Sequence, residues 1–363
     1  MNKRIIIAGG GTGGHIFPAL AIANALRKKE PDMDILFVGA KGKMEMEKIP
    51  EAGFPIRGID IAGYNRSSLI KNFSLPYKLI KSFLQVKGIF KYFKPQAAIG
   101  VGGYSTFPVL RYAQAKGIPT FIHESNSYAG KSNMLLGKKA TRIFAASDGM
   151  EKFFPAARLV YTGNPIRKNV VTNQITREEG IVFFGMDPKY TTVLVTGGSL
   201  GARSMNEAIN AGISLLVKNK IQLIWQTGKS FAVQAAAHAV ESRLIWTSEF
   251  ISKIEYAYAA ADMVVSRSGS VLYELCAVKK PVIFIPYPHA AEDHQTVNAE
   301  NLVKKNAALM IADKDAREKL VPEILRLAKN KTEQEILKEN IGKLAITDAD
   351  EKIATEILNT LNG

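Results

Sequence analysis

The chain has 363 residues, 47% of them hydrophobic, enough for two packed cores, and no stretch reaches the roughly 18 uncharged apolar residues that cross a bilayer. Its one cysteine, Cys276, excludes an internal disulfide, and the start MNKRIII lacks the apolar run of a secretory signal, so the cytoplasm is the expected compartment. Of the net charge of +15, residues 1–165 carry +14 (24 basic, 10 acidic), a one-sided field that suits nucleic acid, an anionic membrane surface or a polyphosphate substrate.

Short β-branched runs alternate with helical patterns, which predicts βα units and parallel sheets. Strands are expected at 4–8, 34–38, 97–101, 120–123, 143–145 and 159–162, then at 193–196, 223–226, 263–266 and 282–285. The first strand runs into GGGTGGH. Gly9, Gly11 and Gly14 satisfy G-x-G-x-x-G, but a dinucleotide site needs an acid at the end of the second strand, where this chain has Val38, Gly39, Ala40 and Lys41. A P-loop is excluded because His15 and Ile16 follow Gly14 where Lys and Ser or Thr are required. What remains is a helix N-terminus, whose unpaired N–H groups and positive dipole end receive an anion. His15 stands in that first turn, where the positive end disfavours imidazolium and keeps a neutral ring able to accept a proton. The alternative is a helix-start histidine bonded to a nearby carbonyl.

Further along, SSLIKNFSLPYKLIKSFLQVKGIFKYFKP sets Leu79, Phe83, Val86, Phe90 and Phe93 on one helical face suited to packing on the sheet. Leu69, Ile70, Phe73, Leu75 and Tyr77, ringed by Lys71, Lys78 and Lys81, suit a surface that dips into an anionic leaflet. After the strand at 120–123, His123 and Glu124 are reserve acid/base candidates behind His15. Gly163 and Pro165 in TGNPIR mark a domain boundary, giving domains at 1–163 and 164–345 and a terminal segment at 346–363, in which Ile353, Ile357 and Leu361 lie at helical spacing.

The second half opens with VLVTGGSLGA, an echo of IIIAGGGTGG, so each half is expected to be a doubly wound domain with its own glycine turn. Ser199 offers a hydroxyl on that turn. SRSGSVLYEL then puts Arg267, Ser268 and Gly269 between a strand and a helix carrying Glu274. This pattern suits a nucleoside diphosphate, with Arg and backbone N–H groups for phosphate and a carboxylate for the ribose hydroxyls; the bland reading of Glu274 is a solvated helix residue. Gln295 and Asn298 share a helix face and can bond sugar hydroxyls. His289 and His294, with Asp293 between them, have neither a Cys nor a further well-spaced ligand, and the early Asp32 and Asp34 pair stands at the entry of its strand and not at its exit, so no metal site is expected.

Taken together, GGGTGGHIFPALAIANAL, GVGGYSTFPVL, HESNSYAG, TGNPIR, GGSLGARSMN, SEFI, SRSGS with Glu274, and EDHQTVNA resemble the MurG family of glycosyltransferases, in the family's order from Ile5 to about Leu302. The resemblance implies an α/β GT-B fold, two Rossmann-like domains facing across a cleft, with the terminal helix returning towards the first. It also implies inverting transfer of N-acetylglucosamine from UDP-GlcNAc to the muramyl 4-hydroxyl of lipid I, giving lipid II, without a cofactor or metal. Thr12, Gly13 and Gly14 match the family's first loop, and His15 its candidate base. Asn126, Arg167, Ser199, Ile251 as a main-chain contact to uracil, and Gln295 match donor-side contacts, and Glu274 the ribose carboxylate. Four residues separate Gly269 from Glu274 where the family usually has five, and Ser125 replaces a common Gln. The implied setting is the cytoplasmic face of the plasma membrane, held peripherally, with cell-wall enzymes as possible partners and no nucleic acid, since the lysines interleave with aliphatic residues and no recognition module appears. Two alternatives stay open at this point: a GT-B enzyme using another nucleotide sugar, and a non-catalytic binding protein for a sugar nucleotide or nucleic acid.

Overall fold

The computed structural model describes residues 2–63, 75–172, 174–290 and 293–362. The chain divides into two compact units, Met1–Arg167 with Thr347–Gly363, and Lys168–Ile346.

In the first unit the described residues form a seven-stranded parallel sheet: β1 (Arg4–Ala8), β2 (Asp34–Ala40), β3 (Ile56–Ile59), β4 (Ala97–Gly100), β5 (Thr120–Glu124), β6 (Arg142–Ala145) and β7 (Leu159–Tyr161). Their order is β3-β2-β1-β4-β5-β6-β7. Alternation along β1 shows why both faces are covered. Ile5 and Ile7 enter a core with Ile16, Ile22 and Leu26 of the helix Gly13–Lys29, whereas Ile6 and Ala8 enter another with Val86, Phe90, Val109 and Leu110. The terminal helix Ala349–Asn362 joins the first of these cores through Ile353 and Ile357 and lies against the helix Gly13–Lys29. Each fully buried Ile contributes about 1.5–3 kcal/mol.

The second unit has a six-stranded parallel sheet among the described residues: β8 (Thr191–Thr196), β9 (Ile221–Gln226), β10 (Ile245–Ser248), β11 (Met263–Ser266), β12 (Val282–Phe284) and β13 (Leu309–Met310). Its order is β10-β9-β8-β11-β12-β13. Val193 and Val195 pack on Met205, Ile209 and Ile213, and Leu194 packs on the opposite side with Ile254, Tyr258 and Leu275.

The ten expected strands are present, two with the expected bounds and the others extended or trimmed by one or two residues. Three others, β3, β10 and β13, escaped the sequence reading. Each lies at a sheet edge and pairs on one side alone, so none needs the continuous apolar run that marks a strand covered on both sides.

The helix Leu75–Phe93 buries Ser82, Val86 and Phe90, with Ile89 and Phe93 packed beside them. Tyr77, Ile80 and Leu84 form an opposite stripe and are 68%, 64% and 65% exposed. Leu69, Ile70, Lys71 and Phe73 lie outside the described residues. Among the described residues no helix is long and apolar enough to cross a membrane.

Candidate active site

In a doubly wound sheet the ligand crevice opens at the carboxyl ends of the strands where the strand order reverses. In the first unit that point lies between β1 and β4, which brings the turn after Ala8 beside the turn after Gly100. Gly10 N–H donates to Gly102 O at 3.2 Å, and Thr106 Oγ1 donates to Gly102 O and Ala8 O. Thr12 is the exposed N-cap residue, and Gly13, Gly14 and His15 open the helix. The first N–H groups of a helix have no intrahelical acceptor, so this turn keeps donors for an anion.

His15 Nδ1 lies 3.0 Å from Gly10 O. A carbonyl oxygen only accepts, so the proton of the neutral ring is on Nδ1 and Nε2 carries the lone pair. That nitrogen is turned towards Gly102: a Cβ built there would stand 2.7 Å from it. The helix-start carbonyl bond thus takes one ring nitrogen, and the expected role of base would fall to the other.

His123, at the end of β5, is fully buried, and neither ring nitrogen makes a hydrogen bond of good geometry. Burial holds its pKa down at about 3, against a weak opposing pull from the Gly163 backbone, with the nearby His15 lowering it further. A ring neutral throughout the physiological range and closed to solvent is poorly placed as a base. Glu124 is likewise committed: its oxygens accept from the Asn126 and Gly130 backbone and from the Asn126 and Asn133 amides at 2.8–3.2 Å. It shapes the HESN turn and thereby presents Asn126. Arg167 stacks over Phe17, 4.6 Å from the ring centroid, beside the first helical turn.

One residue that holds this loop was not legible in the sequence. Glu45, at the start of the helix Glu45–Glu51, is buried at 1% exposure and accepts from Gly11 N at 2.7 Å and Ala40 N at 2.9 Å. A Cβ on Gly10 or Gly39 would overlap its side chain. The acid absent from the end of β2 is therefore supplied four residues after Lys41, and it binds the protein's own loop. The two glycines facing each other across that slot were the available signal.

In the second unit the strand order reverses between β8 and β11, which joins GGSLGA to SRSGS. Glu274 is 6% exposed and accepts from Tyr258 Oη at 3.0 Å, so it is a held carboxylate rather than a solvated one. The helix that carries it runs from Val271 to Val278 after the N-cap Ser270. Ser199 is half-buried on the glycine turn.

Arg267, an expected phosphate ligand, is bonded within the fold. Its guanidinium donates to Ile285 O, Pro286 O and Ser204 Oγ and pairs with Asp313, because a nearly buried cation must find compensation inside the fold. Asn298 is buried and donates to Ser268 O at 3.0 Å, while Ser268 Oγ donates to Gln295 O at 2.7 Å. Gln295 accepts from Tyr287 N and presents Nε2 near Gly269. These side chains fix the SRSG turn. Ile251, expected to contact uracil through its main chain, donates its N–H to Gln226 Oε1 at 2.9 Å.

The segment expected to meet a membrane contributes Leu75, Tyr77, Lys78 and Lys81 to the described residues. Lys81 is 3.2 Å from Asp60, whose carboxyl is brought down to about 2 by hydrogen bonds from Gln85, Lys41 and Lys81.

Residues 5–145 match the N-terminal domain of glycosyltransferase family 28 and residues 192–353 its C-terminal domain. The chain is 49% identical over 360 residues to the UDP-N-acetylglucosamine--N-acetylmuramyl-(pentapeptide) pyrophosphoryl-undecaprenol N-acetylglucosamine transferase of Phocaeicola vulgatus, covering 98% of this chain and 96% of that one. It is 46% identical to the enzyme of the same name in Parabacteroides distasonis, covering 99% and 98%. A crystal structure of Acinetobacter baumannii MurG superposes with a TM-score of 0.77 at 25% identity, covering 99% of this chain and all of that one. The chain belongs to glycosyltransferase family 28 and, within it, to the MurG family of N-acetylglucosaminyltransferases.

Proposed function

We propose that this chain transfers N-acetylglucosamine from UDP-GlcNAc to the 4-hydroxyl of the muramyl sugar of lipid I, with inversion at the anomeric carbon and without a metal. The observation that carries the choice of donor and acceptor is the 49% identity over 98% of the chain with a transferase named for N-acetylglucosamine, UDP-N-acetylglucosamine and N-acetylmuramyl-(pentapeptide) pyrophosphoryl-undecaprenol. The acceptor oxygen attacks the anomeric carbon on the face opposite UDP. The carbon–oxygen bond to the diphosphate breaks, its electron pair leaves on UDP, and the hydroxyl proton passes to His15 Nε2. The second unit holds the donor: Glu274 on the ribose hydroxyls, the Ile251 carbonyl on uracil, Ser199, Gln295 and the N–H groups from Ser268 into the helix Val271–Val278 on the diphosphate, whose developing charge they offset. Arg267 and Asn298 keep that turn in shape. Thr12, Gly13, Gly14, Asn126 and Arg167 serve in the first unit.

We further propose that the chain sits peripherally on the cytoplasmic face of the membrane, beside the cell-wall enzymes that make and use its lipid substrates. Supporting this are the exposed stripe of Tyr77, Ile80 and Leu84, with Leu75, Lys78 and Lys81 around it, and the +14 on residues 1–165.

The test is transfer of labelled GlcNAc to a short-chain lipid I analogue. UDP-GlcNAc is expected to be used at least tenfold better than UDP-glucose or UDP-galactose, and His15→Ala to lower kcat by about 10²–10⁴ with little change in donor affinity. Equal use of all three donors would point to another sugar, and full activity of His15→Ala would place the base elsewhere.

A further inference from the structure

The Gly10–Gly11 peptide group is bonded at both ends. Its N–H donates to Glu45 Oε2 at 2.7 Å, and its C=O accepts from His15 Nδ1 at 3.0 Å. Carboxylate, peptide and imidazole therefore form one line of hydrogen bonds ending at the nitrogen that faces Gly102. The carboxylate is fixed from its other oxygen, which accepts from Ala40 N, and it lies in a slot that only glycine at 10 and 39 leaves open. A buried carboxylate is costly unless its bonds return the desolvation penalty, and here each oxygen accepts from a backbone N–H.

We propose that Glu45 is a positioning residue for His15, acting through the Gly10–Gly11 peptide group; the inference rests on the reading of His15 as the base. Bonding of the carboxylate to Gly11 N–H fixes the tilt of that peptide and polarises it, so that Gly10 O is a stronger acceptor. The stronger acceptor holds the proton on Nδ1, orients the ring and favours the imidazolium that forms when Nε2 takes the hydroxyl proton. No proton travels to Glu45. The positive end of the helix Gly13–Lys29 acts in the opposite sense, against imidazolium. Arg167 over Phe17 also disfavours that charge; His123 stays neutral, and the Glu124 carboxylate is bound within its own turn. Glu45 is the carboxylate tied to His15 through a single peptide.

The experiment compares Glu45→Gln with the unchanged chain in the transfer assay, following kcat against pH and donor affinity separately. Gln keeps the volume and loses the charge and one acceptor. Expected are a fall in kcat of about tenfold or more, unchanged UDP-GlcNAc affinity, and an acidic limb displaced to lower pH, since a less supported imidazolium loses its proton more readily. Unchanged kcat would overturn the inference, as would a lower kcat with the acidic limb unmoved, the mark of a merely structural role. Should the variant fail to fold, nitrogen-15 NMR of the unchanged chain decides: His15 protonated at Nδ1 with a downfield Gly11 amide is expected, and protonation at Nε2 overturns it. Full activity of His15→Ala would remove the base reading itself, whereas an inactive His15→Ala beside an unaffected Glu45→Gln removes the relay alone.

Discussion

Gly102 backs the ring of His15. Its φ is +98°, and a Cβ at that position would meet His15 Cδ2 at 2.5 Å and Nε2 at 2.7 Å. Gly102→Ala is therefore expected to displace the imidazole and to strain the backbone by about 1–2 kcal/mol. In the transfer assay kcat should fall by at least tenfold while donor affinity is kept, and urea unfolding should show the lost stability.

Glu274 is held by Tyr258, so its removal and the removal of its support can be told apart. Glu274→Gln is expected to raise the Kd for UDP-GlcNAc by about 10–100-fold, the worth of a charge-assisted contact of roughly 1.5–3 kcal/mol. Tyr258→Phe leaves the carboxylate in place but looser, and a smaller rise is expected. Isothermal titration of both variants with UDP-GlcNAc checks the order.

His123 gives the fold a predictable sensitivity to acid. Its folded pKa of about 3 lies below the ordinary 6.5, so between those values the unfolded chain binds a proton that the folded chain does not. Its contribution to stability is whole above pH 6.5, declines as pH falls through that value, and is lost by about pH 3. At pH 5 the loss from this group is about 2 kcal/mol. Urea unfolding at pH 7 and pH 5 should show that difference in the unchanged chain and not in His123→Asn.

The stripe of Tyr77, Ile80 and Leu84 is exposed on the folded unit, so changing it should leave the core alone. Ile80→Asp with Leu84→Asp is expected to abolish flotation with anionic vesicles at low salt and to leave transfer to a short-chain acceptor within twofold. Binding by the unchanged chain should weaken as salt is raised. Undiminished flotation of the double variant would remove the stripe from the membrane contact.

What the sequence disclosed follows from where each element lies in its sheet. Ile5 to Ala8 and Met263 to Ser266 are covered on both faces, so their apolar runs stand out. The edge strands β3 and β13, with IRGI and LM, carry no such run. Glycine turns, His15 and Glu274 were legible because their chemistry follows from residue type and a strand-turn-helix context. The partners of Arg267, Glu124 and Asn298 were not, because a side chain's type does not say whether its bonds are spent within the fold. Glu45 was hidden for a related reason: in KGKMEMEKIP it reads as one more charge at a solvated helix start, and only the packing of Gly10 and Gly39 sets it apart.

The terminal helix Ala349–Asn362 has a consequence for how the molecule is made. It supplies Ile353 and Ile357 to a core begun by Ile5, Ile16 and Ile22, so the first unit is assembled from both ends of the chain. During synthesis β1 and the helix Gly13–Lys29 leave the ribosome well before that layer and lack it until Ile353 and Ile357 have been added. The second unit, continuous from Lys168 to Ile346, has all of its residues before then. Birth order and completion order are therefore reversed, and the half that emerges first carries an uncovered apolar helix face until the second unit has been made, an interval in which a nascent chain is open to chaperones and to aggregation.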